Sequence, residues 1–147
     1  QRSDTFKVAG CGREACLICE TDGRGSCSKD GVNYEISCVG CQEEDRGGRY
    51  HGESSKNGFT RGKKHLEEFD RRAESSVIWR HCRERHGGEI QDFKMNITGN
   101  YRNDAMLRQI SEAVRINDTP REQLINNRTE WNYVNFPRVL VDNEDAA

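Results

Sequence analysis

The stretch Gly31-Val-Asn-Tyr-Glu-Ile-Ser-Cys38 decides the fold class of this chain. Its apolar side chains, Val32, Tyr34 and Ile36, alternate with polar ones, which is the period of a β-strand with one buried face. The glycine-containing residues 39–48 that follow are typical of a hairpin loop. The stretch therefore predicts a half-buried strand that pairs with the next strand along the chain.

The remaining residues alternate between strand and helix patterns. We predict a second strand at 48–53, a turn at 54–58, helices at 59–71 and 74–86, a third strand at 90–98, a helix at 104–116 and a short helix at 120–126. Thr60 is the predicted N-cap of the first long helix, and Leu107, Ile110 and Val114 are the predicted buried face of the 104–116 helix. This order predicts an α+β domain with a small three-stranded, mostly antiparallel sheet flanked by helices.

The composition indicates a core that needs support. Of the 147 residues, 33% are hydrophobic and 33% are charged, and the mean hydropathy is −1.00. A core this lean usually needs disulfides or bound metal. No apolar run approaches the ~18 residues of a membrane span, so we expect no membrane association. Because the first residue is Gln1, we expect a domain excised from a longer protein. We divide the chain into a Cys-rich zinc-binding segment at 1–30, a core at 31–140 whose aromatic segment 131–140 packs across the domain, and a disordered tail at 141–147.

Seven cysteines and four histidines are available as metal ligands. Two Cys-x2-Cys pairs, Cys16/Cys19 and Cys38/Cys41, are typical of zinc sites, because each pair forms a turn that aims two thiolates at one tetrahedral ion. The spacing allows two closed sites. One consists of Cys11, Cys16, Cys19 and Cys27, and the other consists of Cys38, Cys41, His81 and His86. Cys82 is left over and is predicted to be a small core residue, since it falls on the apolar face of its helix.

Two alternatives to this pair of zinc sites remain open. The two Cys-x2-Cys pairs could form a single all-cysteine site. The cysteines could also form disulfides in a secreted protein, a class that three formal glycosylation sequons at Asn96, Asn117 and Asn127 would suit. The odd number of cysteines and the well-spaced histidines favour zinc in a reducing, intracellular compartment.

A basic region surrounds one Arg-x3-His step. Residues 46–86 carry 11 basic and 6 acidic residues, although the whole chain has a formal net charge of −2. Arg61 and His65 are four residues apart in this region and lie on one face of the predicted helix. A permanently charged guanidinium beside a proton-exchanging imidazole suits chemistry on a phosphodiester, whereas the alternative interpretation is a solvated basic helix. The local positive charge predicts that the chain grips a polyanion at one place.

The chain resembles the GIY-YIG endonuclease family. The resemblance is carried by Tyr34-Glu-Ile-Ser-Cys38-x2-Cys41, Tyr50-His-Gly52-Glu53, Arg61-x3-His65, Trp79-Arg-His81 with His86, the helix that contains Glu112, and Leu124-Ile-Asn126. It covers about residues 27–132 and is similar above all to the endonuclease domain of Penelope-like retroelements, where a Cys-Cys-His-His set accompanies the core. The first motif has an extra residue between Gly31 and Tyr34. The second motif has His51 where isoleucine is usual, and we expect this side chain on the opposite face of its strand.

The resemblance implies a divalent-metal-dependent DNA endonuclease that hydrolyses a phosphodiester. The implied catalytic residues are Tyr34, Tyr50, Arg61, His65, Glu112 and Asn126. Arg61 would bind the scissile phosphate, His65 would orient the attacking water or relay its proton, and Glu112 would hold one Mg²⁺ or Mn²⁺. Tyr34 would act as general base or water orienter. A phenol with a pKa near ~10 would need that pKa lowered, or it would pass the proton on to His65.

The resemblance also implies partners. In that family the domain nicks DNA, and the free 3′ hydroxyl primes reverse transcription. We therefore expect DNA as substrate, a reverse transcriptase domain in the same polypeptide, the element's RNA as a partner, and a nuclear location. The basic residues expected to contact DNA are Arg49, Lys56, Arg61, Lys63 and Lys64. The alternative function is a zinc-dependent nucleic-acid-binding module without activity, and the complete set of catalytic side chains argues against it.

Overall fold

The computed structural model describes residues 10–126 of the chain. Its elements, in chain order, are α1 (Leu17–Glu20), β1 (Asp30–Cys38), α2 (Val39–Glu43), β2 (Arg49–Asn57), α3 (Gly58–Asp70), α4 (Val77–Arg85), β3 (Phe93–Asn100), α5 (Ala105–Asp118) and a 3₁₀ turn at Arg121–Gln123. The aromatic segment predicted at 131–140 and the tail predicted at 141–147 lie outside the described residues. Within residues 10–126, no helix has the length and apolar character needed to cross a membrane.

The three strands form one antiparallel sheet in the order β2-β1-β3. Tyr34 of the central strand β1 lies opposite Gly52 of β2 and Ile97 of β3, and Ile36 lies opposite Tyr50. Helices α3 and α5 both contact the sheet. The prediction of an α+β fold with a three-stranded antiparallel sheet flanked by helices is therefore confirmed.

Strand β1 is buried on both faces. Val32, Tyr34 and Ile36 are at most 1% exposed, as the alternation predicts. Asn33 and Ser37 on the other face are also buried, with 1% and 9% of their surface exposed. Helix α5 contacts β1 and offers polar partners to Asn33, which satisfy its hydrogen bonds when the amide oxygen is assigned to the side of Arg115 and the Glu112 N–H. The prediction of a half-buried strand is therefore wrong for its polar face.

The junction between β2 and α3 is direct. Strand β2 continues through the predicted turn at 54–58 as far as Asn57, because the partner strand extends to Asp30, which pairs with Asn57. Helix α3 begins at the next residue. Its N-cap is Asn57 and not Thr60, since the Asn57 side-chain oxygen accepts a hydrogen bond from the Thr60 N–H at 2.8 Å. The start of α3 is thus fixed to the end of a strand.

Two further segments differ from the predictions. Residues 39–48 contain the short helix α2 and are not entirely loop, because the chain turns helically after Cys38. Residues 120–126 form only a 3₁₀ turn, after which Leu124 pairs with Arg49 at the outer edge of β2. Main-chain pairing with the sheet therefore replaces the expected short helix.

Helix α4 begins later than predicted. The predicted start was residue 74, whereas the first helical residue is Val77. The Ser76 side chain accepts a hydrogen bond from the Trp79 N–H at 3.0 Å and so caps the helix at this point.

Helix α5 does not bury the face that its sequence predicts. Leu107 and Val114 are each 45% exposed, and Ile110 is only partly buried. The buried residues of this helix are Arg108, Glu112, Ala113 and Ile116. The prediction is wrong because the helix packs on the polar face of β1 and on β2, where hydrogen bonds and an ion pair hold it.

Candidate functional site

Four cysteines near the N-terminal end of the described chain converge on one point. The residues are Cys11, Cys16, Cys19 and Cys27, and we call them the four-cysteine cluster. Their sulfur atoms all lie within 4.8 Å of one another, and Cys19 Sγ is 3.8 Å from Cys27 Sγ. Leu17 and Ile18, between two of the ligands, are 5% and 1% exposed. The cluster is therefore attached to the hydrophobic core by its own helix α1.

A second cluster joins the sheet to α4. It consists of Cys38, Cys41, His81 and His86, and we call it the cysteine–histidine cluster. Cys41 Sγ is 3.4 Å from the Nε2 atoms of both His81 and His86, and these two nitrogens are 3.2 Å apart. Cys38 ends β1, whereas the histidines lie within and just after α4.

Both clusters have the dimensions of a tetrahedral zinc site. Bonds of about 2.3 Å to sulfur and about 2.05 Å to nitrogen place two sulfurs about 3.8 Å apart, a sulfur and a nitrogen about 3.6 Å, and two nitrogens about 3.3 Å. The corresponding distances are 3.8 Å, 3.4 to 3.6 Å, and 3.2 Å. Burial raises the pKa of Cys16 to about 12 and that of Cys41 to about 11, so these thiols would ionise only beside a cation. Each cluster could therefore hold one zinc ion, with the two ligand sets predicted from spacing.

The two other interpretations of the cysteines disagree with the structure. Cys16 and Cys19 lie in one cluster and Cys38 and Cys41 in the other, so a single site made of both Cys-x2-Cys pairs is wrong. All seven cysteines are free, and the 3.8 Å between Cys19 Sγ and Cys27 Sγ far exceeds the ~2.05 Å of a disulfide bond. Cys82 is fully buried outside both clusters, as predicted.

A phenol, an imidazole and a guanidinium meet between the sheet and α3. Tyr34 Oη is 2.9 Å from His65 Nε2, and Arg61 Nε donates a hydrogen bond to Tyr34 Oη over 3.3 Å. The Tyr50 ring lies beside this pair, with its centroid 6.3 Å from that of Tyr34 and 5.7 Å from that of His65. The structure thus brings four of the implied catalytic residues together. The one-turn step in α3 and the pairing of β1 with β2 account for their proximity.

Gly52 makes room for this arrangement. A Cβ atom at Gly52 would overlap the Tyr34 ring, which lies across β2 at this point. Any larger residue would push the Tyr34 hydroxyl away from His65. The glycine of the second motif therefore has a packing role that the sequence alone did not reveal.

Burial keeps the imidazole and the phenol neutral. Burial, with a smaller effect of Arg61 and Lys64, lowers the pKa of His65 to about 3. Burial also raises the pKa of Tyr34, although Arg61 acts in the opposite direction. Burial therefore opposes a lowered pKa, the first of the two routes open to Tyr34. Because Arg61 Nε already donates to the phenol oxygen, the phenol proton can point towards His65 Nε2.

Arg61 is half-buried, and its guanidinium makes no ion pair with any other residue of the described range. No carboxylate lies within ion-pair distance of its guanidinium among residues 10–126. Its Nε is used by Tyr34, which leaves the terminal nitrogens for another acceptor. A partly desolvated guanidinium without a counterion favours binding of an anion such as phosphate.

Glu112 approaches the same group from α5. It is 8% exposed, and its negative charge adds to burial in raising the pKa of Tyr34. In the amide orientation that satisfies both its ends, Asn33 accepts from the Glu112 N–H at 3.3 Å and from Arg115 Nη1 at 2.6 Å, and donates to the Arg108 carbonyl at 3.1 Å. One carboxylate, with waters and a substrate phosphate, is a common way to hold Mg²⁺, so Glu112 is compatible with its implied role.

Sequence reasoning missed the residues that position Glu112. Asn33 is the first, and the second is the ion pair in which Arg108 Nε is 2.5 Å from Glu53 Oε1. Nothing local distinguished Asn33, because it is one of the polar residues that alternate with Val32, Tyr34 and Ile36. Nothing local to Arg108 indicated the pair, because its two members are 55 positions apart.

Asn126 is not brought to the Tyr34–His65 group. Its side chain accepts from the His51 N–H and donates to the His51 carbonyl, both at 2.8 Å, and so attaches the segment after α5 to β2. His51 lies on the opposite face of the strand from Tyr50, where its Nε2 is 2.9 Å from Thr119 Oγ1. Burial, then Arg115 and Arg49, lower the pKa of His51 to about 4. Both polar ends of the Asn126 side chain are occupied by the main chain of His51, which gives Asn126 a structural position, and its catalytic role stays a prediction.

The basic residues expected to contact DNA do not form one surface. Arg49 lies on the sheet face opposite Tyr50, with its Nε 3.7 Å from Glu35 Oε2. Lys63 and Lys64 are exposed on α3 close to Arg61, whereas Lys56 is exposed near the end of β2. The lysines of α3 are therefore the ones that lie beside the candidate site.

Comparison with known proteins assigns no class to this chain. No model of a protein family, no curated protein and no solved structure matches it. The features that bear on its class are the three-stranded fold, two clusters that could hold zinc, and the group of Tyr34, His65, Arg61 and Glu112. The class of protein is therefore inferred from the chemistry of these groups.

Proposed function

We propose that the chain is a divalent-metal-dependent DNA endonuclease of the GIY-YIG type, stabilised by two structural zinc ions. The observation that carries the proposal is the hydrogen-bonded group of Tyr34, His65 and Arg61, in which the guanidinium has no carboxylate partner within residues 10–126. A guanidinium in this position can bind a phosphodiester and stabilise the negative charge that grows on it during hydrolysis.

The neutral Tyr34–His65 pair offers a path for the proton of the attacking water. As the oxygen–phosphorus bond forms, the water's proton passes to Tyr34 Oη and the phenol's own proton passes to His65 Nε2. The bond between phosphorus and the 3′ oxygen breaks, and the leaving oxygen takes a proton from solvent water, which gives a 3′ hydroxyl and a 5′ phosphate. His65 then releases its extra proton to solvent. Part of the lowering of the His65 pKa comes from Arg61 and Lys64, and a bound phosphate would offset their charge. The imidazole is therefore a stronger base in the complex than in the free protein.

Glu112 supplies the remaining charge. It would hold one Mg²⁺ or Mn²⁺, whose chemistry there is neutralisation of the phosphate and of the leaving oxygen. Asn33 and the Arg108–Glu53 pair fix the helix that carries this carboxylate. The proposals that a reverse transcriptase and element RNA are partners, and that the protein is nuclear, rest on the resemblance alone.

A plasmid-nicking assay with Mg²⁺ or Mn²⁺ tests the proposal. We expect wild type to convert supercoiled DNA to open circles, and Glu112→Gln and Arg61→Ala to lower the rate by about 100-fold or more. The matched control is Glu89→Gln, which makes the same chemical change at an exposed position and should leave the rate unchanged.

Zinc content and thermal unfolding show whether each variant is folded. Wild type that carries two zinc ions, unfolds cooperatively and leaves many plasmid sequences intact would overturn the endonuclease proposal. If such a protein still bound DNA with a steep dependence on salt, a non-catalytic nucleic-acid-binding module would replace it.

A further inference from the structure

The four-cysteine cluster is built against the helix that carries Arg61 and His65. The Phe59 N–H, in the first turn of α3, donates to the carbonyl of the cluster residue Cys27 at 3.0 Å. This N–H is one of the donors that a helix cannot satisfy internally at its start. The Arg13 guanidinium lies 4.0 Å from the Phe59 ring centroid and also donates to Cys27 Sγ at 3.5 Å. The end of the cluster therefore caps the beginning of α3.

A second contact lies one turn further along α3. Leu17 and Ile18, enclosed between the ligands Cys16 and Cys19, pack against α3. A Cβ atom at Gly62 would lie 3.1 Å from Leu17 Cβ and 3.1 Å from Met95 Sδ, which is tighter than ordinary van der Waals contact. Gly62 directly follows Arg61, so this contact is made by the main chain next to the residue that carries the guanidinium.

We infer that metal binding at the four-cysteine cluster positions α3, and that Leu17, Ile18 and Gly62 are the positioning residues that couple the cluster to Arg61 and His65. The inference rests on the proposed function only where it calls these two residues catalytic. Without metal, four converging thiols hold no fixed arrangement, so the carbonyl of Cys27 and the pair Leu17–Ile18 lose their places against α3.

Coupling between two sites is reciprocal in free energy, and this gives a test that needs no DNA cleavage. Zinc at the four-cysteine cluster stabilises the position of α3 by some factor. A change in α3 that removed the contact would weaken zinc binding there by the same factor, and a partial disturbance would weaken it by less. The members of the cysteine–histidine cluster come from β1, α2 and the α4 region and none comes from α3, so this cluster should not respond.

The variant for this test is Gly62→Ala, which adds one methyl group at the contact and touches no ligand. We expect its zinc affinity at the four-cysteine cluster to fall about 5-fold or more, with the affinity of the cysteine–histidine cluster unchanged. Thr60→Ala is the matched control, because it alters an exposed position of the same helix. Competition with a chromophoric chelator measures the affinities, and cobalt substitution separates an all-thiolate site from a mixed thiolate–imidazole site by their visible spectra.

The reverse experiment removes the metal from one cluster. Cys19→Ser should lose one zinc ion, speed amide hydrogen exchange about 10-fold or more at residues 58–62, and shift the ¹⁵N resonance of His65 Nε2 as its contact with Tyr34 changes. Cys82→Ala removes a buried thiol outside both clusters and should do none of these. If Cys19→Ser does not fold, the Gly62→Ala affinities decide the matter. The inference would be overturned if Gly62→Ala bound zinc at the four-cysteine cluster as tightly as wild type does. It would also be overturned if Cys19→Ser folded and its amide hydrogen exchange in α3 were unchanged. A protein that shows the coupling but cuts no DNA would overturn the proposed function alone.

Discussion

Acidification should destabilise the protein through His65. The unfolded imidazole takes up a proton below a pKa of about 6.5. In the folded protein, burial and the charges of Arg61 and Lys64 lower this pKa to about 3. Between these values the unfolded state binds more protons, so the free energy of unfolding falls as the pH falls. The contribution of His65 is complete above about pH 6.5 and is lost progressively towards the folded pKa.

The size of the effect follows from the two pKa values. Each pH unit well below the unfolded pKa costs at most about 1.4 kcal/mol. Integrated from pH 7 to pH 5, where the folded imidazole remains neutral, the loss from His65 amounts to about 2 kcal/mol. His65 is only 4% exposed, so solvent screening reduces this figure little.

Urea denaturation at pH 7, 6 and 5 with saturating zinc measures the effect when wild type is compared with His65→Gln. Glutamine can still accept a hydrogen bond from Tyr34 but does not titrate. Zinc ligands and His51 also bind protons on unfolding, and their contributions are common to both proteins, so they cancel in the difference. We expect wild type to lose about 2 kcal/mol more than the variant over this range.

Parallel pH profiles for the two proteins would refute this reasoning. A difference below about 0.5 kcal/mol lies within the error of the extrapolation to zero denaturant and would count as parallel. Such a result would mean that His65 titrates in the folded state as it does in the unfolded chain. The burial of the imidazole against Tyr34 would then be wrong, and with it the neutral proton relay of the proposed mechanism.

Two substitutions test the packing around the site. Gly52→Ala should lower the free energy of unfolding by about 1–3 kcal/mol, because the added methyl group overlaps the Tyr34 ring. The control Gly40→Ala should cost far less, because its methyl group meets only the flexible end of a glutamine side chain. Equal urea midpoints for the two variants would contradict the overlap. Asn126→Ala should lower the free energy of unfolding by about 2 kcal/mol, because it leaves the His51 N–H and carbonyl without their side-chain partner. An unfolding temperature equal to that of wild type, measured by calorimetry, would show that the contact is not formed.

The elements that the sequence predicted well are those with a local signal. The alternation of Val32, Tyr34 and Ile36 predicts β1, and cysteine spacing predicts both ligand sets, because two thiolates of a Cys-x2-Cys turn face the same way whatever surrounds them. The one-turn spacing of Arg61 and His65 likewise places them together on α3 without knowledge of the rest of the fold.

The predictions that failed needed contacts between distant segments. The apolar spacing of Leu107 and Val114 predicts a buried face, yet α5 packs through its polar side. There, Arg108 forms an ion pair with Glu53, and Asn33 of β1 hydrogen-bonds three groups of α5. Periodicity in the sequence shows which side chains share one face of a helix. It does not show which face packs against the rest of the protein. The tertiary structure makes that choice from hydrogen bonds across many residues.

The sequence by itself determined the α+β order of elements, the members of two clusters that could hold zinc and the residue types at the candidate site. Only the tertiary structure decided that Tyr34 and His65 are buried in contact with each other, that Asn126 hydrogen-bonds the main chain of His51, and that the four-cysteine cluster packs against α3. The physical reason is that a pKa and a hydrogen bond depend on burial and on neighbours from other strands and helices, which no local pattern of residues contains.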